Sequence, residues 1–270
     1  MKGGENMKKI IFGTIFSLFA LALVVAPTFA VTCTPTGFYR DSINMTAALI
    51  NPSGTVTGDV DATGCNIGIY YGPGKTGVVS GANVFGANYY GIVAQQATVD
   101  VKNSSIHNIG EFPFNGLQHG VGIYYANVDG QVNGDCTTGS GLTLGSVDNN
   151  TINFYQKGGV VVACKGANVS VTNNTVTGLG PVDFIAQNGI QFGYGAMGMA
   201  TGNTLDGGNY YTGNGWTSTA LLLFDVNAKD VKTSNNKFIH NQTNLAVITA
   251  QACPYMYGGF YQTYDLCTFK

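Results

Sequence analysis

The sequence predicts an all-β chain wound as a single-domain solenoid of about six to seven coils with capped ends. A Gly-aliphatic pair recurs at intervals of about 23 to 37 residues, a period typical of solenoids and arrays. The runs that follow are short, β-branched or aromatic, and bounded by Gly and Asn, which is typical of strands. Apolar residues do not recur at helical spacing over a long stretch, so helical repeats are disfavoured.

Each predicted coil carries two aliphatic marks. We expect the first mark to point inward from a strand that begins after Gly. The second mark falls in an Asn/Ser/Thr-rich stretch about 15 residues later, and one longer coil indicates an insertion at residues 130–141. The first marks are Ile69, Ile92, Ile123, Val160, Ile190, Leu221 and Ala246, and the second are Val84, Ile106, Ile152, Val176, Leu205 and Phe238.

Asparagine marks the predicted corners between strands. Asn-Asn-Thr-Ile/Val occurs at 149–152 and 173–176, and related sequences occur at 202–205 and 235–238. Asn suits tight corners because it tolerates left-handed backbone angles and bonds its own main chain. With these corners and the Gly-aliphatic openings, residues 65–250 resemble right-handed parallel β-helix proteins of the pectin-lyase-like type. The resemblance implies that fold, but it implies no particular activity, since function resides in sites carried by a fold.

The two ends of the chain differ from the repeats. Residues 1–30 are typical of a secretory signal, with Lys8 and Lys9 before an apolar run and a small-x-small cleavage site at 28–30. An uncleaved membrane anchor is the alternative. Residues 31–64 and the aromatic segment 251–270 are predicted caps on the β-helix of residues 65–250, because solenoids need capped ends. The C-terminal aromatics alternatively offer an oligomer contact or a ligand patch.

Composition narrows the compartment and the partners. Of 12 basic and 14 acidic side chains, three and one respectively lie in residues 1–30, which leaves nine and thirteen and a formal charge of −4. Nucleic acid is therefore not an expected partner. Six cysteines follow the predicted cleavage site, which favours an oxidising, extracellular location; the short Lys-Lys signal is typical of bacteria. Proximity favours the pairs Cys33–Cys65, Cys136–Cys164 and Cys253–Cys267, and no C-x-x-C spacing indicates a metal site.

An outward column and a set of loops form the candidate ligand-binding surface. Alternation points Tyr70, Val93, Tyr124, Val161 and Gln191 outward, and this mixed face could stack sugar rings. Loops before the strands are rich in aromatic residues and would form a wall beside the face. Simple coverage of the flank is the alternative interpretation. The predicted ligand-binding residues are Tyr70, Tyr124, Gln191, Tyr210, Tyr211 and Trp216.

The candidate catalytic set is small. His119, Lys157 and Gln187 precede their strand openings by similar distances, so their side chains could meet, and a His beside a Lys could abstract a proton. Asp183 and Asp225 are the acids nearest the predicted groove, but glycosidases need a closely placed carboxyl pair. The resemblance implies that lyases of this fold need a basic residue with acidic calcium ligands, whereas Arg40 precedes the coils and no Asp-rich cluster occurs.

Two functions from different classes follow. The first is a secreted or cell-surface, non-catalytic protein that binds a polysaccharide or serves as a structural component, with no cofactor and no membrane contact beyond the signal. The alternative is a polysaccharide lyase or glycoside hydrolase, with calcium if it is a lyase. Ice or mineral binding is disfavoured, because the Thr residues form no regular column in the aligned repeats.

Overall fold

The computed structural model describes residues 32–129, 131–132, 136 and 139–248. The chain divides after Ala30, and only the second unit, Val31–Lys270, contains described residues. The predicted signal, the predicted C-terminal cap and the pair Cys253–Cys267 therefore lie outside the described residues. Among the described residues, no helix is long and apolar enough to cross a membrane.

The described residues form strands joined by turns and loops, and these strands are numbered in chain order. They are β1 (Thr34–Arg40), β2 (Ile43–Ile50), β3 (Thr55–Asp61), β4 (Ile67–Tyr71), β5 (Thr76–Phe85), β6 (Tyr90–Gln95), β7 (Thr98–Lys102), β8 (Ser105–His107), β9 (Val121–Ala126), β10 (Gln131–Val132), β11 (Thr143–Asp148), β12 (Thr151–Asn153), β13 (Gly158–Ala163), β14 (Ala167–Thr172), β15 (Thr175–Thr177), β16 (Gly180–Val182), β17 (Asn188–Gly193), β18 (Met197–Thr201), β19 (Thr204–Asp206), β20 (Asn209–Tyr211), β21 (Thr219–Phe224), β22 (Val231–Ser234), β23 (Lys237–Ile239) and β24 (Thr243–Ile248).

Two large sheets account for nearly all of these strands, and the prediction of an all-β fold is confirmed. The first sheet has ten strands in the order β10-β1-β2-β4-β6-β9-β13-β17-β21-β24. The second has twelve: β5 joins its two rows, β22-β18-β14-β11-β7 and β8-β12-β15-β19-β23, and β3 also pairs with β5. Within the described residues every pair is parallel except β1–β2, which is antiparallel.

The inward aliphatic file predicted from the repeats is confirmed. In the ten-stranded sheet Ile69 pairs with Ile92, Ile92 with Ile123, and Val160 with both Ile123 and Ile190. All five side chains are fully buried in one core. The second marks also pair from Val84 to Phe238. The last first mark is wrong by one residue, because Leu221 pairs with Leu245 and not with Ala246.

Packing against the second marks explains why Gly precedes the first mark in five of the seven openings, from Ile69 to Ile190. A Cβ on Gly159 would lie 2.6 Å from the carbonyl oxygen of Gly189 and 2.5 Å from Cγ1 of Val176. Gly91 faces the same two obstacles, the Gly122 carbonyl and Ile106. The aliphatic side chains of the β8-to-β23 row therefore fill the space that a side chain at these glycines would need.

The Asn corners are confirmed, and their two positions have different roles. The first position is left-handed, with φ of 54° at Asn149 and 57° at Asn173. The second position is buried and forms a ladder: the Asn174 side chain accepts a bond from the Asn150 main-chain N–H and donates to the Val147 carbonyl. Because the same bonds recur from one repeat to the next, the ladder satisfies main-chain groups that the corner takes out of the sheets.

The N-terminal strand covers part of the outer face of the ten-stranded sheet. Strand β1 pairs with β2 on one edge and with β10, in the inserted segment, on the other. Its Phe38 packs against Tyr70 and Tyr90, with ring centroids 6.1 and 6.2 Å apart. Two predicted disulfides are confirmed, Cys33–Cys65 and Cys136–Cys164. They fix the N-terminal strand region and the inserted segment to the body of the sheets.

Candidate functional site: an aromatic ridge beside the ten-stranded sheet

Three loops rise beside the ten-stranded sheet and form the candidate site. They are residues 111–119 before β9, 178–186 before β17 and 207–217 before β21, and we call them the ridge. Strands β16 and β20, in the second and third loops, pair with each other. The first loop reaches the second, since a Cβ on Gly116 would lie 2.9 Å from the Phe184 carbonyl oxygen. These three loops therefore lie side by side as the predicted wall requires, whereas Tyr89 and Tyr90, in the fourth aromatic loop expected there, are buried.

Each ridge loop exposes an aromatic side chain. Phe112 is 97% exposed, Tyr210 40% and Phe184 36%. Tyr211 and Trp216 are half-buried in the third loop. Among the described residues outside the ridge, most aromatic side chains are buried or half-buried, and Tyr39 and Phe154 are the exposed ones. The ridge loops contain no Lys or Arg, and their acidic residues are Glu111 and Asp183.

The predicted outer column is not open to a ligand along its whole length. Tyr70 and Tyr124 are only 4% and 6% exposed, because β1 and the inserted segment cover them in a second core with Phe38, Tyr90 and Val93. Burial raises the pKa of Tyr70 to about 12. The expectation that these two rings lie on an exposed flank is therefore wrong. Gln191 lies beyond this second core, half-buried, and accepts a hydrogen bond from the Asn188 side chain.

A polar cluster joins the first ridge loop to the N-terminal strand. The Arg40 guanidinium donates to the Tyr90 hydroxyl at 3.3 Å and to the Gln118 carbonyl at 3.5 Å, and it pairs with Asp41 at 3.2 Å. His119 Nε2 lies 3.3 Å from Glu111 Oε1. Arg40 and Glu111 are the one Arg and the one Glu between residues 31 and 270. Both therefore lie at the neck of the loop that exposes Phe112.

His119 is packed tightly against its surroundings. Its ring stacks on Tyr89 with centroids 3.9 Å apart, and the residue is almost fully buried. Burial lowers the pKa of His119, and the nearby Glu111 carboxylate opposes that effect. Although Nε2 lies near Glu111, it makes no well-aligned hydrogen bond. A neutral imidazole in this position fills space between the loop and the sheet.

The predicted catalytic column is not assembled as expected. The residue that stands beside Lys157 across the strands is Gly120, since the Lys157 N–H donates to its carbonyl. The Lys157 ammonium donates to the Ala186 carbonyl at 2.7 Å, and burial lowers its pKa to about 8. Gln187 is fully buried and donates to the Tyr155 carbonyl. The three side chains thus engage different partners: His119 stacks on Tyr89, Lys157 bonds Ala186 and Gln187 bonds Tyr155.

The predicted acids also lie apart in the fold. Asp183 is exposed in the second ridge loop, whereas Asp225 follows β21 with a left-handed backbone, φ 51°. Its main-chain carbonyl accepts a hydrogen bond from Gly195. Among the described residues, no group of three His, Cys, Asp or Glu side chains is placed to hold a metal ion.

Sequence reasoning missed part of the site. Arg40 was expected outside the repeats, but the fold of β1 over the sheet brings it to Tyr90 and Gln118. The sequence signal was that residues 31–270 contain one Arg and one Glu, Arg40 and Glu111. The prediction that the Thr residues form no regular column is also wrong. Thr151, Thr175 and Thr204 pair in one regular column on the outside of the second sheet.

No protein-family model matches the sequence, and a comparison with curated proteins found no similar sequence.

Proposed function

We propose that the protein is a secreted, non-catalytic, right-handed parallel β-helix that binds a neutral polysaccharide through the aromatic ridge. The exposure of Phe112, Phe184 and Tyr210 on three neighbouring loops carries this proposal. The fold assignment is supported by parallel rows of strands that recur once in each repeat, because parallel strands in one sheet are almost always connected with right-handed chirality. The two disulfides are consistent with an extracellular location.

The chemistry of the ridge favours a sugar polymer. Aromatic rings offer rigid apolar area that matches the apolar face of a sugar ring, and tyrosine adds a hydroxyl for hydrogen bonding. The two acidic side chains of the ridge, Glu111 and Asp183, would repel the carboxylates of a uronic-acid polymer. The ridge has no Lys or Arg to offset that repulsion. A neutral polysaccharide of a cell surface or of the extracellular medium is the ligand class that fits best.

Cleavage of a polysaccharide, by a lyase or a glycoside hydrolase, is the second candidate. The observation that favours it is the cluster of Arg40, Glu111 and His119 at the neck of the first loop. However, the His119 ring is covered by Tyr89, and the Arg40 guanidinium is engaged by Asp41, Tyr90 and Gln118. Both groups are therefore better placed to hold β1 and the loop together than to reach a substrate.

Affinity electrophoresis of residues 31–270 through gels that contain neutral or uronic-acid polysaccharides tests the binding proposal. We expect retardation in at least one neutral gel, and we expect Phe112→Ala and Tyr210→Ala each to weaken binding about tenfold, on the order of 1.4 kcal/mol. Met199→Ala is the control matched to Tyr210→Ala, since the two side chains are 37% and 40% exposed but Met199 lies on β18 in the other sheet. Equal loss in the control, or binding that survives both ridge substitutions, would contradict the proposal.

Product analysis separates the second candidate. The protein is incubated with neutral and uronic-acid polymers, with and without calcium, and new reducing ends and unsaturated products are measured. Products that disappear in His119→Ala and Arg40→Met would establish cleavage and reject the non-catalytic proposal. Lys157→Ala and Asp225→Ala test the remaining residues of the predicted set in the same assay.

A further inference from the structure

We infer that three glutamines, Gln156, Gln187 and Gln242, are positioning residues that hold the ridge loops rigid and fix the aromatic side chains as one preformed surface. They lie one or two residues before the starts of β13, β17 and β24. None of the three glutamines belongs to the ridge loops themselves. The functional half of this inference rests on the proposed glycan binding, whereas the structural half can be measured without a ligand.

The first ridge loop closes around the side chain of Gln156. Its amide oxygen accepts hydrogen bonds from the N–H groups of Glu111 at 3.0 Å and Asn115 at 3.4 Å. Its amide nitrogen donates to the Asn115 side chain at 3.1 Å and to the Leu117 carbonyl at 2.8 Å. Gln156 belongs to the next repeat, so the loop is held from outside its own sequence. One fully buried amide therefore provides hydrogen-bond partners on both sides of the loop that carries Phe112.

Two glycines at the neck of that loop show how close the fit is. A Cβ on Gly110 or on Gly120 would lie 2.5 Å from the Cβ of Gln156. Both glycines also have positive φ, 141° and 85°, where L side chains are strained. The neck thus passes on both sides of Gln156 at a distance that only Gly allows. A loop built this way has a defined position relative to β13.

The third loop closes around Gln242 in the same manner. The Gln242 oxygen accepts from the N–H groups of Tyr211 at 3.0 Å and Ser218 at 2.8 Å, and its nitrogen donates to the Tyr211 carbonyl at 3.1 Å. These contacts clamp the two ends of residues 211–218. The clamped segment contains Trp216, the single Trp of the chain, which provides a spectroscopic reporter.

Gln187 connects the second loop to the repeat that precedes it. Its oxygen accepts from the Leu179 N–H at 3.0 Å, and its nitrogen donates to the carbonyls of Tyr155 at 2.6 Å and Gln156 at 3.2 Å. Through Gln156 this bond reaches the brace of the first loop. The first and second ridge loops are therefore fixed relative to each other. This fixes the distance and orientation between Phe112 and Phe184.

Only an amide makes all of these bonds, because it accepts through one atom and donates through the other. A thioether of similar volume makes neither kind of strong bond and leaves buried main-chain groups without partners. A surface that is ordered before it meets its ligand avoids the entropy cost of ordering loops on binding. We therefore expect each glutamine to affect ligand affinity although Gln156 and Gln187 are fully buried and Gln242 is half-buried.

Hydrogen exchange and Trp216 fluorescence test the structural half. In Gln156→Met we expect the Glu111 and Asn115 amides to exchange about tenfold faster or more, because local opening replaces a protected bond, with Trp216 unchanged. In Gln242→Met we expect stronger quenching of Trp216 by acrylamide, with the first loop unchanged. Gln95→Met is the matched control: Gln95 is also buried and bonds Tyr70 and Val128, but it lies at the end of β6, away from the ridge.

The outcomes are distinguishable. Unchanged exchange at Glu111 and Asn115 in a folded Gln156→Met overturns the inference. If that variant does not fold, Gln156→Glu replaces it: the carboxylate accepts from both N–H groups but cannot donate, so faster opening at Asn115 is still expected, and wild-type exchange there overturns the inference. Loosened loops with wild-type glycan affinity reject the functional half. If the wild-type protein binds no glycan, the proposed function fails, and exchange and fluorescence alone decide whether the glutamines brace the ridge.

Discussion

At the scale of single residues, adjacent residues of the same type have different structural roles. Gly158 and Gly159 are adjacent on β13, but a Cβ on Gly158 would approach no atom closer than the Val161 side chain at 3.2 Å, whereas one on Gly159 would meet main chain and Val176 within 2.6 Å. The same inequality separates Asn173, which is exposed in the turn, from Asn174, which is buried in the ladder. Position relative to the stacked repeats, and not residue type, decides these roles.

For the glycine pair we expect Gly159→Ala to lower the free energy of unfolding by about 2–3 kcal/mol, since the inserted methyl group forces strands apart in a packed core. Gly158→Ala should change it by less than about 1 kcal/mol. Urea unfolding followed by circular dichroism measures both. A loss below about 1 kcal/mol in Gly159→Ala as well would show that the close approach at Gly159 is relieved without cost.

At the scale of elements, the Asn ladder and the N-terminal strand each shield groups from solvent. The ladder from Asn150 to Asn236 satisfies main-chain groups where two rows of the twelve-stranded sheet meet at a corner. Strand β1 covers aromatic side chains on the outer face of the other sheet. Both elements therefore bury surface or polar groups that the repeats alone leave open.

We expect Asn174→Ala to destabilise the fold by about 2–4 kcal/mol. It removes a side chain that accepts from Asn150 and donates to Asn203 and to the Val147 carbonyl, and it leaves buried main-chain groups unsatisfied. Asn173→Gly is the control, because Gly adopts the left-handed angle at that exposed position without strain and should cost less than about 1 kcal/mol. Thermal unfolding with matched baselines distinguishes them, and a mild Asn174→Ala would reject the ladder as a stabilising element.

Opposite faces of β1 give a second pair at this scale. Phe38→Ala should cost about 3–5 kcal/mol, as for other buried Phe, and should expose Tyr70 and Tyr90 to iodination. Tyr39→Ala changes the next side chain, which is exposed, and should cost less than about 1 kcal/mol. Mass spectrometry of the labelled tyrosines provides the second readout. Protection of Tyr70 in Phe38→Ala would mean that β1 is not what covers it.

At the scale of the whole molecule, the few ionisable groups that are buried make stability depend on pH in the alkaline range. Burial lowers the pKa of Lys157 to about 8 and raises the pKa of Tyr70 to about 12. For Lys157 the folded state favours the neutral amine, so its stabilising contribution is full above about 10.5 and is lost as the pH falls through 8. For Tyr70 the contribution is full below about 10 and is lost as the pH rises through 12.

Stability should therefore rise between about pH 8 and pH 10 and fall at higher pH. The rise is on the order of 1–2 kcal/mol, after allowance for the partial exposure of Lys157. Urea midpoints at intervals from pH 7 to pH 11 measure the profile. Lys157→Met should flatten the rise and leave the alkaline fall intact, and a rise that persists in this variant would assign it to another group.

The sequence by itself determined the repeats and their inward files, because a parallel sheet stacks equivalent residues and Gly, Asn and aliphatic side chains recur at fixed places in most repeats. It also determined two disulfide pairs and the loops that form the ridge. Only the tertiary structure decided which outward residues reach solvent, since burial of Tyr70 and Tyr124 depends on β1, a segment outside the repeat pattern. It also decided that Arg40 meets the first ridge loop and that Gln156, Gln187 and Gln242 brace the loops. These are contacts between distant segments, and no local pattern in the sequence records their distances.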